Sequence, residues 1–98
     1  MDAIRRVRAD TYFMGVTGIH AEIGLSTGDA EEAMIKRTIA EASAEVAVLA
    51  SSEKLGAASP FMVGPVSLAT TMIVSRDAPP DVVQSLVALG IDVVTADE

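Results

Sequence analysis

Two short stretches of this 98-residue chain hold the residue types that do chemistry. The first is Ser51-Ser52-Glu53-Lys54, where an ammonium group stands beside two hydroxyls. Such a group, with exposed amides around it, holds a phosphate or carboxylate through charge-assisted hydrogen bonds. The second is the glycine-punctuated run from Gly15 to Gly28, which carries His20 and Glu22. His20 has the chemistry of a general base or a phosphate donor. Asp10, Glu22 and Glu53 are carboxylates that would transfer protons if two of them met, but their spacing fixes no such distance. Each feature also has an ordinary reading: a solvated loop lysine, a structural histidine, surface acids in a chain that has fourteen. With one histidine and no cysteine, no metal site is expected. Gly15-Val-Thr-Gly18 lacks the spacing of a dinucleotide loop, and neither a Walker A motif nor a Ser-His-Asp order is present, so no cofactor is expected. The residues alone describe a small anion-binding α/β module.

The elements that must position these residues follow from hydrophobic patterning. Residues 2–9 read as the end of a short helix, with Ile4 and Val7 on one face and arginines near its negative end. Tyr12 to Val16 is an apolar run of strand length. Thr17 to Gly28 reads as a glycine-rich loop, because it has no helical period. A helix is predicted from Ala30 to about Ala44, with Asp29 as N-cap and Glu32 completing a capping-box-like start. Its apolar face is Ile35, Thr38, Ile39 and Ala42, with Ala33 and Ala40 flanking. Glu32–Lys36 and Arg37–Glu41 are favourable i,i+4 pairs worth only ~0.2–0.5 kcal/mol each.

Glu45 to Ala50 is a continuous apolar run of the kind buried in a parallel sheet. Strand, helix and strand make a βαβ unit, so the two strands run parallel and their carboxyl ends share one edge. The loops 17–28 and 51–59 are therefore expected to be neighbours. A short strand follows at Phe61–Val63, then a turn at 67–69 and a strand at Thr71–Ser75. A helix opens at Pro79-Pro80 and is ended by Gly90, and Ile91–Thr95 is the last strand. The fold class is α/β, a mainly parallel sheet with flanking helices.

Bulk properties remove several function classes. The net charge of −7 argues against nucleic-acid binding by this segment, and Arg5-Arg6-Val7-Arg8 is too short a cluster to reverse that. No apolar run approaches the ~18 residues of a membrane span, and no apolar leader opens the chain, which predicts a soluble, cytoplasmic protein without membrane partners.

The ordered motifs Asp10-Thr-Tyr-Phe13-Met-Gly15-Val-Thr-Gly18-Ile, Gly24-Leu-Ser-Thr27, Lys36-Arg37 and Ala50-Ser51-Ser-Glu-Lys54-Leu-Gly56 resemble the effector-sensing C-terminal domain of DeoR-family transcriptional regulators. That family shows D-x-x-F-x-G-x-x-G-I, G-L-T/S, K-R and A-D/S-S-K-F/L-G in this order. The resemblance spans about residues 10–95 and implies the Rossmann-type fold of sugar-phosphate isomerases. It implies a sensor that binds a phosphorylated sugar or related metabolite, works as a homo-oligomer, and controls DNA through an N-terminal helix-turn-helix. Residues 1–98 would then be a partial sensor, without that helix-turn-helix or the sensor's first half. Lys54 would match the family's ligand lysine, with Ser51 beside it in the expected ligand set. Asp10 and the turn Gly15, Thr17, Gly18 would match its central sensor loop, and His20 joins them in the expected ligand set. The alternative is a fragment of a sugar-phosphate isomerase or amino-sugar-phosphate deaminase. An isomerase needs a second acid where this chain, in Ala9-Asp10-Thr-Tyr-Phe13, has an aromatic, which favours sensing over catalysis.

Overall fold

Continuous apolar runs and glycine turns divide the chain into nine regular elements among the residues described by the computed structural model, 9–96. In chain order these are β1 (Ala9–Met14), β2 (Gly18–His20), β3 (Gly24–Thr27), α1 (Ala30–Glu41), β4 (Ser43–Ala50), β5 (Phe61–Gly64), β6 (Thr71–Val74), α2 (Pro80–Ala88) and β7 (Asp92–Thr95). Single 3-10 turns lie at Ser52–Lys54 and Val66–Leu68. The helix expected over 2–9 lies outside the described residues, except that Ala9 opens β1.

Strands β1, β4, β6 and β7 form one sheet in that spatial order, and every neighbouring pair is parallel. The parallel βαβ unit and the α/β class expected from sequence are both present. Alternate positions build the core: Met14, Val48 and Met72 stand side by side across the sheet and are buried, as are Val46, Ala50 and Val74. The helices and the remaining strands pack on this face, adding Ile19, Leu25, Val63, Val66, Leu86 and Ile91 to one cluster. The opposite face is different. Phe13, Leu49 and Val94 are 68 %, 53 % and 46 % exposed there. They alternate with the buried set, as side chains along a strand must.

The sequence reading needs several corrections. The run 17–28 is not an open loop but the β2–β3 hairpin, which pairs onward with β5 in a small antiparallel sheet of order β2-β3-β5. Strands of three and four residues are too short to display a period of two. The positive φ of Gly24 (113°), just after the tight turn, also reads from sequence as loop. The strand expected at Tyr12–Val16 instead begins at Ala9, because backbone pairing with β4 recruits Asp10 and Thr11. Helix α1 stops a turn earlier than expected, where the Ala42 amide and the Ser43 hydroxyl both donate to the Ile39 carbonyl (3.1 and 2.7 Å) and Ser43 starts β4.

The caps and ion pairs expected of α1 are present. The Asp29 carboxylate accepts from the Glu32 amide at 2.9 Å, and Lys36–Glu32 and Arg37–Glu41 are paired at 3.3 and 3.2 Å. Its buried face, however, is Ala33 and Ala40, while Ile35, Thr38, Ile39 and Ala42 are only half-buried. The two alanines lie two turns apart, and their small side chains let the helix approach the strands closely. Ala40→Leu should therefore destabilise the fold by about 1–3 kcal/mol through overpacking. Ile35→Ala should cost less, and the order of the two denaturation midpoints checks which stripe faces the core.

Candidate functional site

Because the four strands of the main sheet are parallel, the segments after Met14, Ala50, Val74 and Thr95 all emerge on one edge. A clasp joins the first two. The Gly56 amide donates to the Ile19 carbonyl at 2.7 Å, and Ile19 bridges Leu55 in parallel register. The Ser59 amide donates to the Ser26 hydroxyl at 2.8 Å, and the Thr17 and Ser59 hydroxyls share a bond of 2.6 Å. Loops 17–28 and 51–59 are thus neighbours, as the βαβ argument requires. Gly18 makes their approach possible: a Cβ there would stand 2.5 Å from Ser26 Oγ and 2.7 Å from the Ala57 carbonyl oxygen.

On the β1 side of the clasp, the Lys36 ammonium donates to the Gly15 carbonyl and pairs with Glu32. Glu32 also accepts from the Thr27 hydroxyl at 3.3 Å. Burial, and then the Glu32 charge, raise the pKa of Tyr12 above the usual phenol value. On the other side, the Ser52 hydroxyl lies 2.6 Å from Asp77 Oδ1 and 2.9 Å from the Ser75 hydroxyl. Hydrogen bonds from Ser52 and then Ser75 hold Asp77 below the ordinary carboxylate range. Glu53 is lowered too, by its own backbone amide and then by Ser51, whose hydroxyl donates to it at 2.9 Å.

The expected site residues separate into groups. Gly15, Thr17, Gly18, Ser51 and Lys54 all lie on the shared carboxyl edge. Thr17 and Gly18 are parts of the clasp itself. Lys54 ends the 3-10 turn and is half-buried, and no hydrogen bond or ion pair engages its ammonium among the described residues. His20 is half-buried at the hairpin turn, where its Nδ1 accepts from the amides of Glu22 (3.2 Å) and Ile23 (3.1 Å). Asp10 does not join them. It is exposed near the amino end of β1, five strand positions (roughly 16 Å) from Gly15. Sequence reasoning gave Lys36 no place on this edge and passed over Ser75 and Asp77. The signal for the latter two was their place just after the third parallel strand.

Among the described residues, two cavities lie at this edge. One of about 240 Å³ is lined by Ile19, His20, Ala21, Glu22, Gly56, Val82, Ser85 and Leu86. The other, about 250 Å³, lies beside Ser75, Arg76, Asp77 and Ala96. Among the described residues, no group of three or more His, Cys, Asp or Glu side chains is placed to hold a metal ion, and no helix is long and apolar enough to cross a membrane.

The sequence profile of the DeoR C terminal sensor domain matches residues 1–76. The chain belongs to that family. No curated protein sequence matches it significantly. The DeoR sensor domain is a regulatory rather than a catalytic module, and the role of this chain is effector sensing in a DeoR-type regulator. The match ends at Arg76, so α2 and β7 lie beyond it.

The clasp predicts opposite behaviour for two glycines. Gly18→Ala should push the 51–59 loop away and lower stability by about 1–3 kcal/mol, the usual scale for a forced core contact. Gly15→Ala should leave stability within about 0.5 kcal/mol, because an added Cβ meets nothing within 4 Å. Urea midpoints of the two variants provide the check.

Proposed function

We propose that the shared carboxyl edge of this DeoR-type sensor binds a phosphorylated sugar or related metabolite, with Lys54 meeting the phosphate. The observation that carries this reading is the Lys54 ammonium, held by no hydrogen bond or ion pair among the described residues and placed on a loop clasped to the β2–β3 hairpin. The Ser51 and Ser52 hydroxyls are occupied by Glu53 and Asp77, so Lys54 is the donor left for an incoming anion. Lysine serves phosphate as a point charge, which suits a ligand whose remaining groups are recognised elsewhere. Gly15, Thr17, Gly18, His20 and Ser51 frame the same edge, and Asp10 is left out of the ligand set.

Residues 1–98 are, in this reading, part of a larger cytoplasmic sensor. Phe13, Leu49 and Val94 support it, since all-parallel sheets are covered on both faces and these three side chains of one face are exposed among the described residues. A further part of the sensor, or a second copy in a homo-oligomer, would cover that face. Effector binding would shift the population of sensor conformations and so bias an attached helix-turn-helix toward or away from DNA.

Thermal-shift titration of the 98-residue chain against phosphorylated pentoses and hexoses tests the proposal. A binder present at about 100 times its Kd should add roughly 2.7 kcal/mol to stability. Lys54→Ala should abolish most of that gain. Equal stabilisation of parent and variant would remove Lys54 from the site, and turnover of ribose 5-phosphate or glucosamine 6-phosphate above background would overturn the non-catalytic reading.

A further inference from the structure

The cavity between the β2–β3 hairpin and α2 has a donor and acceptor pattern that differs from the lysine loop beside it. His20 Nδ1 accepts two amide protons, from Glu22 and Ile23 at 3.2 and 3.1 Å. A neutral ring held in this way carries its proton on Nε2 and presents a donor there. The Ser85 hydroxyl gives its proton to the Asp81 carbonyl at 3.0 Å, which leaves its oxygen as an acceptor. Glu22 is a second acceptor. Ile19, Val82 and Leu86 supply the apolar wall of this cavity of about 240 Å³.

One donor and two acceptors on an apolar wall match hydroxyl groups, which both give and take protons. They do not match a phosphate dianion, which has no proton to donate and would meet the Glu22 charge. The volume lies under the ≈ 300–1,000 Å³ of sites for drug-sized ligands, which suits a smaller molecule. Gly56, on the cavity lining, follows Lys54 by two residues, so their Cα atoms are at most about 7 Å apart. A molecule with hydroxyls at one end and an anion at the other spans such a distance.

We propose that the His20–Glu22–Ser85 cavity takes the hydroxylated carbon chain of the effector while its phosphate lies toward Lys54, an assignment that rests on the sugar-phosphate reading above. Val82, Ser85 and Leu86 lie beyond residue 76, where the family match ends. Helix α2 supplies this wall, and its side chains select among sugars that share a phosphate.

The test compares the parent chain with Glu22→Gln, Ser85→Ala and Lys54→Ala. The probes are inorganic phosphate and a panel of phosphorylated pentoses and hexoses, with binding followed by calorimetry. His20 is the only histidine in the chain, so its imidazole nitrogen signals in NMR report the cavity without overlap. Glu22→Gln and Ser85→Ala are each expected to weaken the best sugar phosphate by about 5- to 30-fold, the scale of one lost hydrogen bond, and to leave inorganic phosphate unchanged. The His20 Nε2 signal should move on adding that sugar phosphate and stay still with inorganic phosphate. If both variants bind like the parent and His20 is silent while Lys54→Ala loses affinity, the cavity assignment is overturned and the lysine site stands. If no member of the panel binds the parent, both fall together.

Discussion

The clasp between the β2–β3 hairpin and the 51–59 loop is the constraint on which the rest of the edge depends. It is made of backbone more than side chain: the Gly56 amide on the Ile19 carbonyl, and the Ser59 amide on the buried Ser26 hydroxyl. Such groups cost free energy if they are buried without partners, so the two loops are strongly held in one register. Gly18 is the steric condition for the contact, and the positive φ of Gly56 (84°) turns the chain away from it. Because the clasp fixes Leu55 against Ile19, it also fixes the 3-10 turn that ends in Lys54.

From that contact the edge extends in two directions. Toward β1 the Lys36–Gly15 bond and the Glu32–Thr27 bond tie the start of α1 to the strand ends. Toward β6 the Ser52 hydroxyl reaches Asp77 and Ser75. Hydroxyl and amide donors lower the pKa of Glu53 and Asp77, and the same hydrogen bonds tie the loop together.

Much of this was legible in the sequence where local and global signals agree. The Asp29 cap, both ion pairs of α1, the parallel strands and the Gly90 turn (φ 87°) all follow from residue pattern. The neighbouring of the two loops also follows, because parallel strands leave no other arrangement. The hairpin was hidden because its strands are short and glycine-bounded, so their pairing is decided by β5, far along the chain. The end of β1 on which Asp10 lies depends on where pairing with β4 begins, which an apolar run alone does not mark. Lys36 follows the helical charge pattern so well that its second contact, with Gly15, leaves no trace in the sequence. For Ala33 and Ala40, closeness of packing outweighed hydrophobicity, an outcome a face drawn from Ile and Thr positions misses.

Native-state hydrogen exchange at the Gly56 and Ser59 amides measures the clasp most directly. In the parent chain both should exchange as slowly as the strand amides of Val48 and Met72, and a bound phosphorylated sugar should slow them further. Exchange at the rate of a freely solvated loop would mean that nothing holds the lysine loop against the hairpin, and would contradict a preformed effector edge.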